Sequence, residues 1–142
     1  MARILFELEI DAPARQVADA LTTRQGIAGW WTDDVTLPDG VGATMTLGFP
    51  VAPVPFRLRV DQADERRVAW RSVGDFPPHW AGTEVIWTLT PTKEATTVRF
   101  AHDGWASDDG PFGTSALTWG RLMDTLKQFA ETGAAAPLFR AA

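Results

Sequence analysis

The sequence predicts a single α+β domain in which a curved antiparallel sheet of about seven strands wraps around one long C-terminal helix. Three observations predict this fold class: alternating apolar and polar residues along most of the chain, turn residues between those segments, and one long amphipathic segment near the end. A chain of 142 residues is long enough for one domain with its own core and short for two. We therefore expect residues 1–142 to form one domain.

The strands are predicted from six segments that alternate apolar and polar side chains. They span residues 3–10, 43–49, 56–61, 67–73, 84–90 and 97–102. A period of two indicates a sheet with one buried face and one face toward solvent. A weaker strand is expected at about 33–37, before the turn at 38–40. Because turns join consecutive strands, we expect an antiparallel meander.

Two short helices are expected after the first strand and one long helix near the C-terminus. Asp11 is the expected N-cap of the first helix, and Thr22 with Gln25 forms a capping box for the second. The long helix is expected at 114–132, with Gly133 ending it. Its apolar stripe, which has a period of 3.6 residues, contains Trp119, Leu122, Met123, Leu126, Phe129 and Ala130. One stripe covers a whole sheet face only if the sheet is strongly curved.

The long loops are expected to share one end of the sheet, because successive connections in a meander alternate between its two ends. They span 50–55, 74–82 and 103–112, and they are longer than simple hairpins need. Long loops on a rigid scaffold are candidate binding loops. Candidate cavity residues from these loops and the inward faces are Trp31, Phe49, Phe56, Trp70, Trp80, Trp87, Phe100, His102, Trp105, Phe112, Trp119 and Met123.

Two adjacent tryptophans, Trp30 and Trp31, end the second short helix. Together with Ile27 they occupy one helical face at spacings of three and four residues. Two interpretations remain open: both close the core beside the long helix, or one packs inward while the other lines the mouth of a cavity.

The composition excludes several classes of function. A formal net charge of −5 argues against nucleic-acid binding, which requires a basic surface. No apolar run approaches the roughly 20 residues of a membrane span, and the N-terminus lacks the apolar region of a signal peptide, so we expect a cytoplasmic protein that does not bind membranes. The chain has no cysteine, which removes disulfides and thiolate metal sites. We expect no metal and no cofactor.

Acid–base chemistry could come from one pair of residues, His102 and Asp103. His102 is expected on the inward face at a strand end, with Asp103 beside it. It could be a structural histidine bonded to the backbone or to Asp103, a group that orients a ligand, or a catalytic base. We assign no catalytic residue, and name His102 with Asp103 as the pair an enzyme would use. His79 is expected to be a solvated loop residue.

Five segments in a fixed order carry a family resemblance. They are APARQVADALTTRQGIAGWW (12–31), VGATMTL (41–47), VDQADERRVAWRS (60–72), TEVIWTLTPTKEATTVRFAHDGW (83–105) and WGRLMDTLKQFAETG (119–133). In this order they resemble the START-like, or SRPBCC, superfamily with its helix-grip fold. The chain is most similar to homologues of the C-terminal domain of the activator of the heat-shock protein 90 ATPase. Ala95 departs from the pattern, where a turn glycine is usual.

The resemblance implies a cavity between sheet and long helix that binds a lipid, a polyketide or another apolar molecule. The co-chaperones carry an additional N-terminal domain that this sequence lacks, so full ATPase activation is not expected. We expect a monomer or homodimer that binds a small hydrophobic molecule, aromatic or acyl. The first alternative is a chaperone-linked protein-interaction module, with a docking face at Arg57, Arg59, Arg67 and Arg71. The second is a polyketide cyclase-like or hydrolase-like enzyme.

Overall fold

The structure, a computed structural model, describes residues 2–140. The strands are β1 Ala2–Ile10, β2 Val35–Thr36, β3 Thr44–Leu47, β4 Phe56–Ala63, β5 Arg67–Ser72, β6 Glu84–Thr92 and β7 Ala95–Trp105. The α-helices are α1 Ala14–Thr22, α2 Arg24–Trp30 and α3 Pro111–Thr132, and a 3₁₀ turn spans Pro78–Trp80. All strands pair antiparallel in one sheet, in the order β1-β7-β6-β5-β4-β3-β2. The α+β meander gripping a long C-terminal helix is confirmed.

The core lies between the concave sheet face and α3. Leu89 lies between exposed neighbours on β6, and exposed Arg99 separates buried Val98 and Phe100 on β7, as a period of two requires. On α3 the predicted stripe is buried at five of its six positions. The sixth, Phe129, is half-buried and lies against Gly29 of α2, where an added Cβ would come within 2.3 Å of the Phe129 ring. Glycine at position 29 therefore lets α2 approach α3 closely.

The prediction for the end of β7 was too short. The strand continues to Trp105 rather than ending near residue 102, so the loop before α3 is shorter than the predicted 103–112. The pairing of Ala2 with Trp105 and of Ile4 with His102 leaves one extra residue on β7, which is a β-bulge. Gly104 adopts the positive φ of +90° at this bulge. The bulge puts His102 and Trp105 on the same inward face.

The predicted helix starts were wrong at each helix. Pro13 rather than Asp11 precedes α1, and the backbone N–H of Asp11 donates to Glu131 Oε2 at 2.7 Å. The cap of α2 is Thr23, whose hydroxyl oxygen accepts from Gly26 N at 2.9 Å, whereas Thr22 still belongs to α1.

Helix α3 begins at Pro111, three residues before the predicted start. The fixed φ and missing N–H of proline suit the first turn of a helix. The apolar stripe alone does not predict this start.

The long connections meet at one end of the sheet, as predicted. Phe56 at the start of β4 contacts Phe76 at 5.5 Å and Trp80 at 5.1 Å between ring centroids, both from the loop between β5 and β6. Trp105 contacts Phe112 of α3 at 5.3 Å. This end, which we call the loop end, is therefore walled by aromatic side chains. Within residues 2–140, no helix has the length and hydropathy that crossing a membrane requires.

Candidate functional site

The middle of the space between sheet and α3 is filled by the protein's own aromatic rings. Trp119 of α3 lies 4.6 Å from Phe100 and 5.0 Å from Trp31, measured between ring centroids. Trp87 lies 4.8 Å from Phe100 and 5.6 Å from Trp70. All five side chains are at most 2% exposed. A large central cavity is therefore absent from the described part of the chain, because these rings pack at interior density.

A cleft remains at the loop end, with a volume of about 340 Å³. It lies between the loop after β3, the 3₁₀ turn and the N-terminal half of α3. Its lining is mostly apolar and consists of Trp31, Phe49, Val51, Ala52, Phe56, His79, Trp80, Thr114, Ser115, Thr118, Trp119, Leu122 and Phe139. Apolar walls with a few polar groups are typical of small-molecule sites.

The structure brings five of the twelve predicted cavity residues into this cleft and leaves seven outside it. Those that line the cleft are Trp31, Phe49, Phe56, Trp80 and Trp119. Those that pack elsewhere are Trp70, Trp87, Phe100, His102, Trp105, Phe112 and Met123. The second group includes inward side chains of the central strands, which the sequence places on the correct face but not at the correct depth.

The two adjacent tryptophans play different parts. Trp30 is 0% exposed and donates from Nε1 to the carbonyl of Ala20 at 2.8 Å, so it is a core residue. Trp31 stacks between Trp30 at 5.5 Å and Trp70 at 5.9 Å, and its remaining surface lines the cleft. Trp31 thus joins the core to the candidate site.

Phe139 is a cleft residue that the sequence analysis missed. It lies in the segment after α3, where no periodic pattern marks it. Its ring meets Phe49 at 5.1 Å and nearly at a right angle. The segment is held by backbone hydrogen bonds from Ala136 N to Gly29 O at 3.0 Å and from Phe139 N to Trp31 O at 2.9 Å. These bonds satisfy carbonyls at the C-terminus of α2 that the helix leaves without partners.

The polar side of the cleft belongs to α3. Thr118 donates its hydroxyl hydrogen to Thr114 O at 3.1 Å, and Thr114 donates to Gly110 O at 3.3 Å. Ser115 differs, because its oxygen accepts from Trp80 Nε1 at 3.4 Å. An indole N–H can only donate, so the hydroxyl hydrogen of Ser115 remains free to donate into the cleft.

His102 is buried and fully hydrogen-bonded. Its Nδ1 accepts from Trp119 Nε1 at 3.1 Å, so the ring proton lies on Nε2. Nε2 then donates to Thr83 Oγ1 at 2.8 Å, and Thr83 in turn donates to Trp80 O at 2.7 Å. The side chain is 0% exposed. Both nitrogens are therefore occupied by the protein, and the histidine positions Trp80 and Trp119, which wall the cleft.

The surroundings keep His102 neutral. Burial and, to a lesser extent, the charge that nearby His79 can carry together lower its pKa from 6.5 to about 3. A charged imidazolium would be desolvated and would lose its bond from Trp119, since Nδ1 could no longer accept. His102 is thus a neutral imidazole through the ordinary range of pH.

His102 and Asp103 do not form a pair. They are neighbours on β7, and His102 faces inward while the carboxylate of Asp103 accepts from Gly104 N at 2.8 Å. The nitrogen atoms of His102 are taken by Thr83 and Trp119. The geometry that a histidine–aspartate couple needs for proton transfer is absent from this pair.

His79, expected as a solvated loop residue, is exposed but also forms part of the cleft wall. Its ring stacks on Trp105 with centroids 5.7 Å apart and planes 24° apart. Partial burial lowers its pKa. The stacking fixes the ring at the mouth of the cleft.

The other candidate surfaces offer fewer features of a binding or catalytic site. Arg59 pairs with Asp61 at 2.6 Å and Arg71 with Glu84 at 3.4 Å, so two of the four outer arginines form ordinary surface ion pairs. A larger depression of about 690 Å³ lies between α1 and the turns at the opposite end of the sheet. Its lining contains acidic and basic residues but no aromatic one. Within residues 2–140, no group of three or more potential ligands could hold a metal ion.

Solved structures share this architecture. The solution structure of the Aha1 dimer from Colwellia psychrerythraea is 28% identical, with a TM-score of 0.85 over 94% of this chain and 98% of that one. Protein MLL2253 from Mesorhizobium loti is 21% identical, with a TM-score of 0.76 over 89% and 95%. DynU16, from the dynemicin biosynthetic locus, is 23% identical, with a TM-score of 0.79 over 98% of this chain but 51% of that one. The latter two show a common fold.

The family is shown by sequence as well as by fold. No curated protein matches the chain significantly. A family model described as Activator of Hsp90 ATPase homolog 1-like protein does match it, over residues 11–131. That range includes α1, α2, six of the seven strands and all but the last residue of α3. The chain therefore belongs to the family of Activator of Hsp90 ATPase homolog 1-like proteins.

Proposed function

We propose that the protein binds a small hydrophobic molecule non-covalently in the loop-end cleft. The observation that carries this proposal is an open space of about 340 Å³ that six tryptophan and phenylalanine side chains line. Ligand pockets occupy roughly 300–1,000 Å³ and are lined by apolar walls with few polar groups. A ligand that covers this aromatic wall removes apolar surface from water, which favours binding by about 25 cal/mol for each Å² buried.

The hydrogen bonds and the small number of titratable groups at the cleft favour binding over catalysis. The nitrogens of His102 are hydrogen-bonded to Thr83 and Trp119, and neither faces the cleft. Of the described lining residues, His79 is the one that titrates. A single exposed histidine with no second titratable group in the described lining does not supply the paired acid–base groups that a cyclase or hydrolase uses.

The test is calorimetric titration with a panel of aromatic and acyl compounds, together with native mass spectrometry of freshly purified protein. We expect micromolar affinity for at least one compound and a co-purified mass in the native spectrum. Ala52→Phe fills the cleft from the half-buried position 52 and should abolish binding. Ala135→Phe, at an exposed position outside the cleft, is the matched control and should bind normally. Binding that survives Ala52→Phe would place the ligand elsewhere.

Membership of the family supports a second candidate, a chaperone-linked protein-interaction module, acting as one domain and as a monomer or homodimer. Val51 lines the cleft and is 93% exposed, and Val54 of the same loop is 48% exposed, so apolar contacts are available there. The outer arginines offer a separate, charged face. Replacing Arg57 and Arg59 with glutamate should abolish binding to the chaperone and leave ligand binding unchanged if this candidate is correct.

A further inference from the structure

The described lining of the cleft contains no lysine, arginine, aspartate or glutamate. Burial lowers the pKa of His79 at the mouth, so its ring is neutral at neutral pH. A carboxylate or ammonium group that entered the cleft would therefore lose its hydration without gaining a partner of opposite charge, and unpaired burial of a charge is costly. A charged ligand is therefore disfavoured at the inner end, where Trp31 and Trp119 are at most 2% exposed. This argues for an uncharged molecule.

The walls of the cleft are flat. Trp80 and Trp119 lie nearly parallel, with planes 14° apart and centroids 6.0 Å apart. Phe49 and Phe56 form another part of the wall and meet at 4.7 Å. Aromatic rings gain attraction from stacked and edge-on contacts beyond the area they bury. The space is also at the small end of ligand pockets, so it favours a compact planar molecule over a long acyl chain.

One donor is free on the polar side. The hydroxyl hydrogens of Thr114 and Thr118 are taken by carbonyls of their own helix. Ser115 accepts from Trp80 Nε1, and its hydroxyl hydrogen has no acceptor among residues 2–140. Ser115 lies at the edge of the Trp80 ring. A molecule that lies along the aromatic wall can therefore place a hydrogen-bond acceptor against the Ser115 hydroxyl.

Resting on the proposed function, we infer that the ligand class is an uncharged planar aromatic molecule with a hydrogen-bond acceptor, such as a carbonyl oxygen, directed at Ser115. Ser115 is then the residue that selects the acceptor. The oxygen atoms of Thr114 and Thr118 accept from any hydroxyl the molecule carries beside it.

Four probes of known shape test this inference by calorimetry. 2-Acetylnaphthalene carries the acceptor, and 2-isopropenylnaphthalene has the same planar shape with CH₂ in place of oxygen. 2-Naphthoate adds a negative charge, and decan-2-one keeps the acceptor on a flexible chain. We expect the ketone to bind about two- to tenfold more tightly than the hydrocarbon, the range of one net hydrogen bond. Naphthoate and decan-2-one should each bind less tightly than 2-acetylnaphthalene.

The variants assign the preference to one hydroxyl. In Ser115→Ala the ratio between ketone and hydrocarbon should fall to about one, and Ser115→Thr should restore it. Thr118→Val removes a hydroxyl whose hydrogen is already used and should keep the preference. The unfolding midpoint of each variant confirms folding. If folding is lost in Ser115→Ala, Ser115→Val takes its place, because it lacks the hydroxyl and matches Ser115→Thr in shape.

Different results overturn the proposed function and the inference about ligand class. If 2-isopropenylnaphthalene and the other three probes all fail to bind the folded protein, the proposed function is overturned. If the hydrocarbon binds but the ketone gains nothing, if the preference survives in Ser115→Ala, or if naphthoate or decan-2-one binds best, the inference about ligand class is overturned while binding stands.

Discussion

At the scale of single residues, both ring nitrogens of His102 bond to neighbouring side chains, so neither is available to a substrate. One nitrogen accepts from Trp119 and the other donates to Thr83. Its ring also meets Trp80 at 4.7 Å, nearly at a right angle. The histidine therefore fixes two tryptophans of the cleft wall, and its protonation would release one of them.

The protonation of His102 should make stability depend on pH. Its pKa is about 3 in the folded protein and about 6.5 when unfolded, so the unfolded chain binds more protons below pH 6.5. The stabilisation is complete above pH 6.5 and is lost as the pH falls toward 3. Urea unfolding between pH 7 and 5 should show a loss approaching about 1.4 kcal/mol per pH unit.

The control for this slope is His102→Asn, which removes the titrating group. Its unfolding free energy should vary much less between pH 7 and 5 than that of the wild-type protein. Carboxylates such as Asp61 and Glu131, whose pKa values are lowered by Arg59 and Lys127, act only below about pH 4.5. Equal slopes in both proteins would contradict the burial of a neutral His102.

At the scale of elements, α3 supplies both the core and the polar side of the cleft. Its inner stripe packs against the sheet, while Ser115 and Thr118 face the open space. Thr125 Oγ1 also donates to Trp30 O at 2.8 Å, which ties α3 to the C-terminus of α2. The helix therefore orders the cleft residues it carries by packing against two neighbouring layers.

Leu126→Ala measures how firmly α3 is docked. Leu126 is 0% exposed, so removing its methyl groups should cost about 2–5 kcal/mol of unfolding free energy. Leu117 lies on the same helix and is 61% exposed, so Leu117→Ala should change stability by less than about 0.5 kcal/mol. Equal effects in a urea unfolding experiment would show that the helix does not pack as described.

The segment after α3 is expected to complete one wall of the cleft. Removing residues 134–142 deletes four backbone hydrogen bonds, which join this segment to Gly29, Trp30, Trp31 and Asp33, a loss of about 2–6 kcal/mol. Phe139→Ala keeps those bonds and removes only the ring, so it should destabilise less and admit larger aromatic ligands. Unfolding and calorimetric titrations check both. A truncated protein as stable as the full chain would contradict this role.

At the scale of the whole molecule, the sequence predicted the topology better than the site. Strand faces follow from a local period of two, and the sharing of one end by the long loops follows from the meander alone. Neither pattern predicts how deeply an inward side chain is buried. That depth depends on how far the sheet curves and on how the rings of Trp70, Trp87 and Phe100 fill the space. The loop-end position of the cleft was therefore predictable, but its exact lining was not.

The remaining errors have local causes. The bulge at Gly104 extends β7 and turns Trp105 inward, although strict alternation would place position 104 on that face. Phe139 carries no periodic signal, because its place depends on carbonyls of α2 that need partners. The polarity of Ser115 was visible in the sequence, but its free hydroxyl follows only from the contact with Trp80.

The most direct test of the central claim is a titration followed through the indole N–H signals of ¹⁵N-labelled protein. The cleft places Trp31, Trp80 and Trp119 against the ligand, whereas Trp30 is in the core. On addition of 2-acetylnaphthalene, the signals of the three cleft tryptophans should shift saturably and that of Trp30 should move least. A saturable response that spares all three, or none from folded protein, would contradict a binding site in this cleft.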